Sequence, residues 1–349
     1  MRASSVTGRF TTLIGSLLAV AGCSTAPARV QLDIAPEQGI RWPAAPDPAR
    51  ITFLGEFRTP ADLGVTKTAW QRISDLVAGS APDALVQPMA VVATDDRGRV
   101  YVADPGAGVV HVFDRTRGRY RRLQAEGHQP LPSPVGLALA LDGRLFVADS
   151  KLNQVLVAAH GATVLRALPL QATLSQPTGL AFDDATGRLF VTETGAHRIS
   201  AFDATGRLIE RIGTRGAGSG EFNFPTYLWL DTDRLLVTDS LNFRVQVLDA
   251  QHRPTGQLGS LGSAPGNLPR PKGVAMDSGG HVYVVDALLH DLQVFDGSGA
   301  LLLSLGSQGS GPGEFWLPNG LWIGPDNTIY VADTHNRRVQ VFRYTGSTP

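Results

Sequence analysis

Cysteine is almost absent from this chain: Cys23 is the single one in 349 residues. One thiol allows neither a disulfide within the chain nor a cysteine-rich metal site. An excess of charge is lacking too, since 31 basic residues balance 31 acidic ones. No global field therefore draws the chain to nucleic acid or to a charged membrane surface. Lysine is rare, with Lys67, Lys151 and Lys272 the only examples. Long apolar runs are missing as well. The longest, from Phe10 to Val20, is too short to remain as a membrane-spanning helix. What is plentiful is glycine, proline and short β-branched runs, over a length that buries a core without disulfide staples.

The apolar N-terminal run follows Arg2 and Arg9 and leads into Val20-Ala21-Gly22-Cys23. This resembles a bacterial lipoprotein signal, in which small residues fit the signal peptidase and the cysteine thiol receives diacylglycerol. The expectation is a signal over 1–22 and a lipidated Cys23, with Ser24 favouring the outer over the inner membrane. Residues 23–50 are rich in Pro and Ala and read as a tether of roughly 30 Å, with Trp42 loosely packed in it.

From there a repeat takes over. Pro88, Pro134, Pro177, Pro225, Pro271 and Pro318 are separated by 46, 43, 48, 46 and 47 residues. Each is followed by an apolar run such as GLALA, a polar turn, a second run such as VYVAD, an acidic corner, and a third such as RVQVF. The runs are too short for helices and rich in β-formers. A weaker fourth run, such as LIERIG or LLLSLG, ends most units, and four short strands per unit over six units predict an all-β, six-bladed propeller over 51–349. The last unit has three strands, and Ile51–Phe57 (ITFLGEF) supplies the missing one and closes the ring. Residues 66–78, with Trp70, Ile73, Leu76 and Val77 on one face, predict a short helix.

The pattern P-x-G, then (I/V)YVAD, then N-x-R-(V/I)-Q-V-F resembles the NHL repeat. Asp333/Asn336/Arg338 and Asp239/Asn242/Arg244 match its corner. In the other four units its Asn and Arg places hold Ala107 and Val109, Leu152 and Gln154, Ala196 and Arg198, and Leu289 and Asp291. The resemblance spans about residues 85–343 and implies a six-bladed propeller, a fold that serves mostly binding platforms and a minority of enzymes. In NHL-like peptide-amidating lyases, zinc-binding histidines occupy the post-proline place. Here that place holds Met89, Val135, Thr178, Thr226, Lys272 and Asn319. The histidines fall at other phases, so the sequence provides no three-imidazole zinc site. Asn319 alone would suit the calcium of lactonase-type relatives, and one amide does not hold that ion.

No catalytic residue, metal or other cofactor is therefore expected. The recurring Asp104, Asp149, Glu193, Asp239, Asp286 and Asp333 read as structural corner acids that accept turn N–H groups. His197, His290 and His335 read as exposed loop histidines without a role. Phe222 and Phe315 read as core, whereas Phe224, Tyr227 and Trp316 are candidates for contact surface. The candidate binding set is thus Met89, Val135, Thr178, Thr226, Tyr227, Lys272, Trp316 and Asn319. The functional expectation is a lipid-anchored, extracytoplasmic binding scaffold at the cell envelope, monomeric, with a protein or small ligand as partner and no nucleic acid. The alternatives are a channel-mouth enzyme of lyase or lactonase type, and a purely structural envelope component.

Overall fold

The computed structural model describes residues 39–65 and 83–346. The expected signal, Cys23 and the expected helix at 66–78 lie outside the described residues. Among those described there is no α-helix, and none that could cross a membrane.

Each repeat folds as an antiparallel meander. In blade 4 the strands are Pro225–Leu230, Arg234–Asp239, Arg244–Asp249 and Pro254–Leu258. The first strands of the six blades are Ala90–Ala93, Pro134–Leu139, Pro177–Asp183, Pro225–Leu230, Pro271–Met276 and Leu321–Ile323. Consecutive first strands touch all the way round, the sixth meeting the first, so they surround the axis of a closed ring. Closure follows the expected route. Ile51–Phe57 pairs antiparallel with Arg338–Tyr344, from Ile51 opposite Tyr344 to Phe57 opposite Val339. A sheet edge that would otherwise stay open is thereby covered.

Both faces of each blade are apolar because both pack against neighbouring blades. Phe113, Ala158, Phe202, Leu248, Phe295 and Phe342 hold one equivalent place in the six third strands, and all are buried. Burying each large one contributes roughly 1.5–3 kcal/mol. Phe222 and Phe315 are fully buried, as expected.

Two features depart from the sequence reading. The segment read as tether up to residue 50 is partly ordered into the blade: Arg41–Trp42 pairs with Thr52 and Ile51 as a fifth strand. Trp42 is not loose. Its indole meets Phe342 edge-on at 5.8 Å and lies where a Cβ on Gly313 would stand. A two-residue strand followed by Pro43 and Pro46 has the composition of a linker, so only its partner reveals it. The second departure joins blades 1 and 2 at their rims. Val164 and Leu165 pair in parallel with Gln124 and Ala125, making one eight-stranded sheet.

Candidate functional site

Six corner carboxylates on one face could be mistaken for a reactive ring. All six are buried. Asp239 accepts from the Asn223 amide (2.6 Å), Arg244 Nε (2.9 Å), Asn242 Nδ2 (2.8 Å) and Gln246 Nε2 (3.2 Å). Asp333 repeats the set with Trp316, Arg338, Asn336 and Gln340. Where the Asn and Arg are lost, other donors substitute. Asp149 takes the amides of Ser133, Lys151 and Leu152, and Asp286 those of Arg270, Leu288 and Leu289. Glu193 takes Arg198, Ser200 and the Ser175 amide. Asp104 takes the amides of Val86, Gln87 and Ala107, with His111 Nε2 at 3.3 Å. Burial alone would raise Asp104 and Glu193. The donors around them outweigh it and hold both below the ordinary carboxylate range. These acids are structural, as the sequence reading expected.

The corner histidines are a correction to that reading. His197 Nδ1 accepts the Phe224 amide at 3.2 Å, and His290 Nδ1 accepts the Leu317 amide at 3.1 Å. Asn153 Oδ1 does the same to Gln176 in blade 2 (2.8 Å). Each donor immediately precedes the proline of the next blade, and each acceptor residue has positive φ. They are inter-blade staples, which a repeat phase alone does not disclose. Hydroxyls add a second set of ties. Thr194, Ser240 and Thr334 donate to the carbonyls of Pro225, Pro271 and Pro88 in the following blade. His335 does remain exposed, its ring 5.6 Å from Trp316.

Among the post-proline residues, Thr178 meets Thr226 and Asn319 meets Met89 across neighbouring blades. Thr178 Oγ1 meets Thr192, Thr194 and the Thr226 carbonyl, while Thr226 Oγ1 meets Ser240 at 2.7 Å. Asn319 is buried and donates weakly to Met89 Sδ at 3.4 Å. One place further along, five blades carry Ala90, Gly136, Gly179, Gly273 and Gly320, and blade 4 carries Tyr227. Added Cβ atoms at Gly136, Gly179 and Gly320 would strike the next blade's backbone. Tyr227 is the exception, and it crosses the axis. Its hydroxyl hydrogen-bonds Asn319 Oδ1 and the Met89 carbonyl (3.0 Å), on blades 6 and 1. Burial pushes its phenol well above the ordinary value. Tyr227 is therefore a floor under the mouth, not outer contact surface. The sequence signal for this was the lone aromatic in a column of glycine and alanine.

Lys272 stands at the mouth as its cation. It is half-buried, and among the described residues no carboxylate pairs with it. Burial lowers its pKa, Arg270 lowers it further, and Asp286 opposes both. Arg270 and Arg337 are exposed on the same side, again without an ion pair among the described residues. Around these cations lie apolar side chains in the corner loops of blades 4 and 5 and the loop before blade 6. Leu241 is 50% exposed, Leu288 55% and Trp316 46%. Val135 and Met89 complete the mouth and are half-buried. Among the described residues no group of three or more His, Cys, Asp or Glu is placed to hold a metal ion.

Comparison with known proteins agrees with this geometry. A family described as 6-bladed beta-propeller matches residues 165–266 and 270–348. No curated protein matches. Among solved structures, a catalytically inactive virginiamycin B lyase from Staphylococcus aureus with quinupristin is similar. Its TM-score is 0.55 at 15% identity, over 76% of this chain and 98% of that one. A Bacteroides thetaiotaomicron protein of unknown function aligns with TM-score 0.61 at 14% identity, over 76% and 72%. An auxiliary nutrient binding protein from Bacteroides ovatus aligns with TM-score 0.58 at 14% identity, over 75% and 70%. At these identities the likeness speaks to fold.

Proposed function

Because the chain belongs to the 6-bladed beta-propeller family, we propose that it is a binding scaffold, held by lipid on Cys23 outside the cytoplasm at the cell envelope. Its working face carries the channel mouth and the corner loops. The observation that carries this reading is Lys272, without an ion pair among the described residues, within a half-ring of exposed apolar side chains, Leu241, Leu288 and Trp316. On the same face the corner acids, the histidine staples and the inter-blade hydroxyls are used internally, while Arg270 and Arg337 add exposed positive charge. A cation with no ion pair among the described residues, beside exposed apolar area, suits a protein segment that presents both carboxylates and apolar side chains. Aromatic and aliphatic anchors supply affinity there, and charge supplies orientation and on-rate. The Bacteroides ovatus neighbour described as an auxiliary nutrient binding protein is in keeping with a binding role.

The test is capture from membranes with paired variants. Lys272→Glu with Trp316→Ala weakens partner capture about tenfold or more without moving Tm. Added salt weakens wild-type capture in the same direction. Arg188→Glu with Arg207→Glu, on the opposite face, leaves capture unchanged. In the same fractions Cys23→Ser releases the protein from the membrane. Loss of the partner only in the Arg188/Arg207 variant places the working face on the other side.

A further inference from the structure

Beneath Tyr227 the axis is not filled. A cavity of about 180 Å³ lies there, lined by the first strands of blades 1 to 4 and 6. None of the post-proline mouth residues borders it, whereas Tyr227 does. In the strands of blades 2, 3 and 4 exposure rises from mid-height toward the face opposite the mouth. Leu137, Leu180, Leu228 and Leu321 at mid-height are buried. Two places further on, nearer the opposite face, Leu139, Phe182 and Leu230 are half-exposed, as is Trp322 in blade 6, while Ile323 and Ala93 stay buried. The cavity is thus closed by Tyr227 on the mouth side and opens on the other face.

Its lining joins apolar side chains to polar backbone edges. Apart from Tyr227, whose hydroxyl is already engaged, no lining residue is titratable. Phe182, Trp229 and Trp322 provide aromatic surface at the open end. The first strands are the terminal strands of their sheets, so each presents an edge of backbone N–H and C=O groups toward the axis. A carboxylate or ammonium here would be desolvated without a counter-ion, at a cost of several kcal/mol. A neutral ring with polar edges loses little, because the strand edges offer both donors and acceptors. The size agrees: an apolar cavity of about 150 Å³ takes benzene.

We propose that this lower cavity is a binding site for a small, uncharged, planar molecule of one or two rings, entering from the face opposite the channel mouth. The site owes its existence to the residue that distinguishes blade 4. Tyr227 turns an open channel into a cup, and the glycines of blades 2, 3 and 6 leave it hollow. It is independent of the mouth, so either proposal stands if the other fails.

The experiment is fluorine NMR on the purified propeller with 5-fluoroindole, and with 4-fluorobenzoate as a charged counterpart. Fluoroindole binds saturably, and fluorobenzoate at least about tenfold more weakly. Leu230→Arg, which places a long cation on the half-exposed rim, weakens fluoroindole binding by about tenfold or more with Tm preserved. Should that variant not fold, Leu139→Arg on the same rim carries the same expectation. Leu141→Arg, exposed outside the cavity, changes nothing. No saturable fluoroindole binding by the wild type, or equal binding by the folded rim variant, overturns the assignment.

Discussion

At the scale of single residues, one place in the repeat shows how far a local exchange reaches. Arg244 and Arg338 sit beside Asp239 and Asp333 as buried counter-ions. Blade 5 puts Asp291 in that place, so a second carboxylate is buried near Asp286. Burial raises its pKa to about 6, Asp286 adds to the rise, and hydrogen bonds from Ser304 and Gln293 oppose it. A carboxyl raised in this way stabilises the fold fully only below its unfolded value. That contribution is lost as pH rises through about 6. At neutral pH the ionised carboxylate therefore costs up to about 3 kcal/mol. Asp291→Asn is expected to raise Tm at pH 7.5 and to raise it only about half as much at pH 5, where the wild-type carboxyl is still largely protonated in the folded protein. A scanning series that shows the same difference at both pH values contradicts this.

The sequence did disclose the corner acids, because a carboxylate ending a strand before a tight turn has nearby N–H groups to accept. It did not disclose the staples. His197 and His290 find their donors in the next blade, 27 residues away in sequence. Nothing in a loop histidine's own neighbourhood announces such a donor. Tyr227 lies between these cases. Its column of glycine and alanine marked it as unusual, but the sequence suggested outward contact, and its direction across the axis required the ring to be closed.

At the scale of elements, closure was legible because it is a matter of arithmetic: one unit short of a strand, one strand without a unit. The Arg41–Trp42 addition was not, since two residues between prolines carry no periodicity. The two segments should differ in weight. Trp42→Ala removes partial burial against Phe342 and is expected to lower stability by roughly 1–3 kcal/mol. Replacing Phe53, Gly55 and Phe57 by proline breaks the ladder with Arg338–Tyr344 and strips Arg338 of its Glu56 contact. That change is expected to abolish cooperative unfolding as followed by circular dichroism. Equal midpoints for the two variants would contradict a closing role for Ile51–Phe57.

At the scale of the whole molecule the two faces differ. One gathers a mouth with a lysine that has no ion pair among the described residues, two further exposed arginines and exposed apolar side chains. The other gathers turns whose charges pair locally, such as Arg144 with Asp142 and Arg253 with Asp249, around the opening of the lower cavity. Tyr227 separates the two. The architecture follows from the repeat alone. The division of labour between faces does not, because it depends on which side chains remain unsatisfied after the ring has closed. The measurement that tests the central claim most directly is site-specific photo-crosslinking in intact cells, with the photoreactive residue at Leu288 on the mouth face or at Leu141 on the other. The account predicts one discrete protein adduct from position 288 that disappears with Lys272→Glu, and none from position 141. An adduct from position 141 alone, or one from 288 indifferent to Lys272→Glu, would contradict it.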